Sequence, residues 1–200
     1  MAIARLGFLV SHRGSNMQAI IDACNKGRLE ALPAVVISNN SACEALNRAL
    51  REGIPHFVVN ADVCANSARS ADDYMLELLL RHHVDWVILA GYMKKLGAVI
   101  VNHFAGRILN IHPSLLPKFG GQGMYGLRVH EAVLAAGEGE TGATVHLVDA
   151  DYDQGPILAQ QRVRIEPDDT AETLASRLLQ IEHELFVETL SKVIRGEITG

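Results

Sequence analysis

The chain opens with an almost unbroken apolar run, IARLGFLV at residues 3–10, followed by the polar stretch SHRGSN. In the next segment, MQAIIDACNKG, apolar side chains recur every three or four positions as far as Gly27. That order predicts strand, turn and helix. The rhythm then repeats. PAVVISN (33–39) predicts a second strand, 42–52 a helix closed by Gly53, and PHFVVN (55–60) a third strand. Residues 72–83 predict a helix ending in His82 and His83, where cations would suit the helix dipole. VDWVILAG (84–91) and RILNIH (107–112) predict a fourth and a fifth strand. After a loop over 113–126 come a helix at 129–136 and a strand of alternating character, TGATVHLV (141–148). PILAQQRVRI (156–165) predicts a strand that can lie antiparallel at a sheet edge, and 169–195 a last helix capped near Thr170. Apolar strands alternating with helices predict a parallel sheet covered on both faces. The expectation is a single α/β domain over residues 1–200, with a mostly parallel sheet and an antiparallel edge strand.

Composition narrows what such a domain can do. The chain has 200 residues, 48% of them hydrophobic and 20% charged, with a formal net charge of -5. Neither a nucleic-acid surface nor an anionic membrane surface is expected without a basic stripe. The apolar start is too short to span a bilayer and lacks a signal-peptide pattern. Cys24, Cys43 and Cys64 are odd in number and have no paired spacing, which points to reduced thiols and a cytoplasmic protein.

Candidate chemistry begins at the end of the fifth strand. In an extended chain Ile108, Asn110 and His112 share one face, so an amide and an imidazole converge where the strand stops. Ligands of parallel α/β folds bind beyond such strand ends. SHRGSN lies between a strand and a helix, so the N–H groups around Gly14, Ser15 and Asn16, with Arg13 beside them, form either an anion cradle or a capped tight turn. GQGMYG (121–126) has the spacing of a dinucleotide fingerprint but stands eight residues beyond its strand, which favours a flexible loop. VHLVDADYDQGPI (145–157) carries Asp149, Asp151 and Asp153, either as a solvated acidic loop or with one carboxylate placed against His112 to favour its protonated form. The histidines and cysteines show no metal-ligand spacing, so no metal is expected, and no serine elbow occurs.

Taken together, GSNMQAIIDAC, LAGYM, GRILNIHPSLLP, HLVDADYDQGPI and IEHELF extend along nearly the whole chain and resemble the folate-dependent formyltransferase superfamily. Within it the Gly-Ser-Asn loop is similar to that of the phosphoribosylglycinamide formyltransferases. The resemblance implies a Rossmann-like three-layer fold and direct transfer of the formyl group from 10-formyltetrahydrofolate to the amine of glycinamide ribonucleotide, in purine biosynthesis. It implies that Asn110, His112 and Asp153 are catalytic, with Asn110 and a protonated His112 stabilising the developing oxyanion. It further implies that Arg13, Gly14, Ser15 and Asn16 hold the substrate phosphate and that Glu182 contacts the ribose or glycinamide part. Folate contacts fall to Lys94, Lys95, Leu96, Ile108, Val148, Asp149, Asp151 and Asp153. The partners implied are these two small molecules, for a monomer or homodimer.

The chain departs from the family's pattern at His12, where glycine is usual, and at 120–129, a segment longer than in many relatives. Two other functions fit parts of the sequence. A formyltetrahydrofolate deformylase uses the same three residue types, but it normally carries an amino-terminal domain, and here the first strand begins at Ile3. A nucleotide-sensing module could use the fold and both glycine loops, yet it would have no need of Asn110, His112 and Asp153 together.

Overall fold

A computed structural model describes residues 3–65 and 69–198. Contacts divide the chain into two compact units, 1–109 and 110–200. The first unit holds strands β1 (Ala4–Val10), β2 (Ala31–Ser38), β3 (His56–Val58) and β4 (Trp86–Leu89). Its helices are α1 (Ser15–Asn25), α2 (Glu44–Arg51), α3 (Ala61–Cys64), α4 (Ala71–Arg81) and α5 (Ala98–His103). Strand β5 (Ile108–His112) straddles the boundary, and the second unit continues with α6 (Leu127–Ala135), β6 (Glu140–Leu147), β7 (Ile157–Arg164) and α7 (Ala171–Ile194). The seven strands run in the order β3-β2-β1-β4-β5-β6-β7. β1 pairs in parallel with β2 and β4, and β2 with β3, while β6 and β7 pair antiparallel.

The apolar runs behave as their composition requires. Leu6, Phe8, Leu9 and Val10 in β1 and Val35, Val36 and Ile37 in β2 are all wholly buried, as strands covered on both faces must be. Gly7 interrupts β1 because a β-carbon there would lie 2.7 Å from Leu79 Cδ2 and 3.0 Å from Val84, so the missing side chain lets α4 and the turn after it close on the strand. Pro33 has no N–H for the ladder, and the β1–β2 register shifts just after the Leu6–Pro33 pair. The Thr170 cap becomes a full capping box, in which its side chain accepts from Thr173 N while Thr173 Oγ1 accepts from Thr170 N.

Four features differ from the sequence expectation. α3 and α5 were not expected; α5 contains Val99, Ile100 and Val101, whose branched side chains lower helix propensity and mask it. β4 is only Trp86–Leu89 and β3 only His56–Val58, both shorter than the apolar pattern. β6 does not alternate between core and solvent: Thr141 to Leu147 are all buried, as β6 lies between β5 and β7 rather than at an edge. The last discrepancy is at the end of α4. His82 lies beyond the last helical residue, and its carbonyl accepts from Arg5 Nε at 2.9 Å. Burial first, then the charge of Arg5, pulls its pKa down, so it is not the helix-end cation expected.

Candidate active site

In the first unit, the turn after β1 is fixed by hydrogen bonds to the ends of its neighbours. Ser11 N donates to Gly91 O at 3.1 Å, Ser11 Oγ donates to Asn39 Oδ1 at 2.5 Å, and Met93 N donates to Ser11 Oγ at 2.9 Å. Gly14 then takes φ +68 at the N-cap of α1, and no side chain caps the helix. The first turn carries no acidic residue, so its backbone N–H groups and dipole favour an anion. Exposed His12 and Arg13 anchor the turn through their carbonyls, which accept from Ala45 N at 3.1 Å and Arg48 Nε at 2.8 Å. A β-carbon at Gly14 would stand 2.6 Å from Ala45 Cβ. Gly14→Ala therefore combines left-handed strain with a clash, and a loss of about 1–3 kcal/mol is expected in urea denaturation. A stability equal to the parent's would show that the turn is not pinned at this contact.

In the second unit, β5 delivers Asn110 and His112 to one face, as its extended backbone dictates, and the turn after β6 delivers Asp153. His112 is 4% exposed. Its Nδ1 stands 3.6 Å from Asp153 Oδ2, and its Nε2 lies 2.7 Å from the carbonyl of Phe119. A carbonyl only accepts, so Nε2 carries the hydrogen and Nδ1 of the neutral ring faces Asp153. Asp153 has φ +55, and its Oδ2 accepts from Gly121 N at 2.9 Å. The Asn110 amide donates to His146 Nε2 at 3.0 Å and to Asp153 Oδ1 at 3.4 Å.

The electrostatics correct one expectation. Burial lowers the His112 pKa from the ordinary 6.5, and the opposing pull of Asp153 does not reverse it. The ring is therefore neutral at pH 7 rather than held protonated. Asp153 itself is pushed up by burial, but His146, His112 and the Gly121 N–H more than offset this and hold its carboxyl below the usual range.

Sequence reasoning missed His146, which is 1% exposed. Its Nδ1 lies 2.8 Å from Leu147 O, which fixes the hydrogen on Nδ1 and leaves Nε2 to accept from Asn110. An imidazole within an otherwise apolar strand, just before the acidic turn, was the available signal. Asp149 and Asp151 are exposed, with Asp149 Oδ1 accepting from Asp151 N at 3.0 Å, and Val148 is half-buried. Glu182 is a buried carboxylate on α7. In the first unit Lys94 and Lys95 are exposed, Leu96 is buried, and the Ile108 side chain is wholly enclosed in core, so only its backbone can reach a ligand. Burial pushes the Cys24 thiol up to about 11, which leaves it a poor nucleophile. Among the described residues no group of three His, Cys, Asp or Glu side chains could hold a metal ion, and no helix is long and apolar enough to cross a membrane.

Fold and cluster together define a class: an α/β protein that gathers an amide, an imidazole and a carboxylate where a strand of its sheet ends. The profile of the formyl transferase family matches residues 4–190, and the chain belongs to that family. It is 39% identical over 194 residues to a chloroplastic phosphoribosylglycinamide formyltransferase of Arabidopsis thaliana, covering 97% of this chain and 66% of that protein. The chain thus spans just under two thirds of that relative's length. It is also 39% identical to the phosphoribosylglycinamide formyltransferase of Haemophilus influenzae, covering 97% of this chain and 89% of that one. Among solved structures, glycinamide ribonucleotide transformylase 1 from Symbiobacterium toebii superposes with a TM-score of 0.89 at 38% identity, covering 97% of this chain and 89% of that one.

Proposed function

We propose that this protein transfers the formyl group of 10-formyltetrahydrofolate to the amine of glycinamide ribonucleotide, in the purine biosynthesis of the cytoplasm. Residues 1–200 act as one formyltransferase domain in this reading. The observation that carries it is the convergence of Asn110, His112 and Asp153, with a neutral His112 whose free Nδ1 faces a carboxylate. The substrate phosphate is held by Arg13, Gly14, Ser15 and Asn16, and Glu182 receives the ribose or glycinamide portion. Lys94, Lys95, Leu96, the backbone of Ile108, and Val148 to Asp153 line the folate.

In this mechanism the neutral amine nitrogen attacks the formyl carbon, and the carbonyl electron pair moves onto oxygen. The Asn110 N–H that makes the long 3.4 Å contact with Asp153 is the more easily exchanged for that oxyanion. His112 Nδ1 takes the proton released by the amine, and the resulting imidazolium lies 3.6 Å from the Asp153 carboxylate. As the carbon–N10 bond breaks, the same proton passes to N10, so tetrahydrofolate leaves and the formamide remains. A base that is neutral before the step and paired once charged suits such a two-way transfer.

The reading is tested by incubating the protein with both substrates and measuring formylated glycinamide ribonucleotide and tetrahydrofolate, which should appear in equal amounts. Formate released without any need for the acceptor would make the protein a hydrolase, and no consumption of folate would leave a binding module. Arg13→Glu should raise the KM for glycinamide ribonucleotide with kcat little changed, because it sets a negative charge beside the phosphate at a helix start. An unaltered KM at saturating folate would remove Arg13 from the site.

A further inference from the structure

We propose that residues Phe119–Gly121 form a backbone clamp that positions both His112 and Asp153 for the reaction, so that the start of the glycine-rich loop belongs to the catalytic apparatus. The inference rests on the formyl-transfer reading. Two main-chain groups that sequence pattern could not have announced carry it. The Phe119 carbonyl accepts from His112 Nε2 at 2.7 Å, and Gly121 N donates to Asp153 Oδ2 at 2.9 Å. One short segment thus holds the imidazole by an acceptor and the carboxylate by a donor. The acceptor compels the ring hydrogen onto Nε2 and so keeps Nδ1 free as the base. The donor fixes the carboxylate that faces the same Nδ1.

The backbone is bent into costly conformations to do this. Phe119 has φ +56, Gly121 φ +97, and Asp153, whose carboxylate Gly121 holds, φ +55. A bulky aromatic residue at positive φ is strained and persists only where its surroundings enforce it. Between the two contacts, Gly120 has no room for a side chain: a β-carbon would stand 2.4 Å from Leu116 Cδ2 and 3.2 Å from Asp153 Cβ. The Phe-Gly-Gly order therefore has a physical account. The first residue directs its carbonyl at the histidine, the second permits close approach to Asp153, and the third takes a φ that residues with a β-carbon rarely adopt.

Substitutions can separate backbone from side chain. A β-carbon at Gly121 or at Gly123, φ +88, would meet nothing within 4 Å, so Gly121→Ala and Gly123→Ala impose similar conformational strain without a clash. Only the first bonds a catalytic residue. At Phe119, glycine tolerates positive φ whereas valine does not, although both remove the phenyl ring. Gly121→Ala should lower kcat about 100-fold with both KM values near the parent's, since a misplacement on the order of 1 Å costs that much. Gly123→Ala should turn over close to the parent. Phe119→Gly should exceed Phe119→Val in kcat by about tenfold.

Nitrogen NMR of the free protein reads the clamp without the reaction: His112 should show a protonated Nε2 and bare Nδ1 in the parent and in Phe119→Gly, and a mixture of tautomers in Phe119→Val. Equal effects of Gly121→Ala and Gly123→Ala, or the parent tautomer persisting in Phe119→Val, would overturn the clamp. If Phe119→Val does not fold, the Gly121 and Gly123 pair still decides. A parent that shows the tautomer but transfers no formyl group would sink the proposed reaction and leave the clamp's geometry standing.

Discussion

His112→Ala is expected to lower kcat about 100- to 10,000-fold, the range typical of a positioned general base. The structure gives the effect a particular pH signature. Burial lowers the folded-state pKa of His112 below 6.5, so the neutral form that can accept a proton is complete above 6.5 and disappears as pH falls through the lowered value. The parent kcat/KM should therefore be level around neutrality and drop only on the acid side, and the variant should lack that limb. The same shift costs stability as pH falls below 6.5 towards the lowered value, because the unfolded chain then binds a proton that the folded chain refuses, and it has no effect on folding at higher pH, where both states are neutral. Steady-state rates across pH, with thermal denaturation to confirm folding, check this. A folded variant that keeps its turnover, or an acid limb that survives the substitution, would take the base away from His112.

Asp153→Asn is expected to reduce kcat by up to about 1000-fold while leaving the fold intact. Asparagine suits this position, since it tolerates the left-handed φ of +55 and keeps an oxygen for the Gly121 N–H, so the losses are the charge and the long 3.4 Å acceptor contact to Asn110. At 3.6 Å the attraction between the carboxylate and a His112 imidazolium is on the order of 4 kcal/mol at an effective dielectric near 20. That attraction bounds the rate loss at about 1000-fold. Asp149→Asn and Asp151→Asn change the charge of the same turn from exposed positions and should be nearly silent, within about 0.5 kcal/mol. Three equal losses would mean that only the turn's overall charge matters.

The strands and long helices were legible because burial leaves a direct mark on residue type. Leu6 to Val10 and Val35 to Ile37 are apolar on both faces because both faces are covered, and Thr170 precedes α7 because a helix start needs an acceptor for its first N–H groups. Asn110 and His112 were readable for a related reason, since strand periodicity alone puts them on one side. β6 misled because Thr141, Thr144 and His146 are polar yet buried; Thr144 and His146 meet partners far away in sequence, Thr144 Oγ1, for example, donating to Ser114 O at 2.6 Å.

What the sequence by itself determined is therefore the alternation of elements, the family signature, and the pairing of an amide with an imidazole at one strand end. The resemblance already pointed to Asp153; only the tertiary structure put its carboxylate against that pair, set His146 beside Asn110, and left His112 neutral. It also turned the glycines after Phe119 from a weak motif into main-chain partners of the site. The physical reason is common to all four. Local pattern records whether a position is buried and which way it faces, whereas a proton's location depends on distances and desolvation set by segments dozens of residues apart.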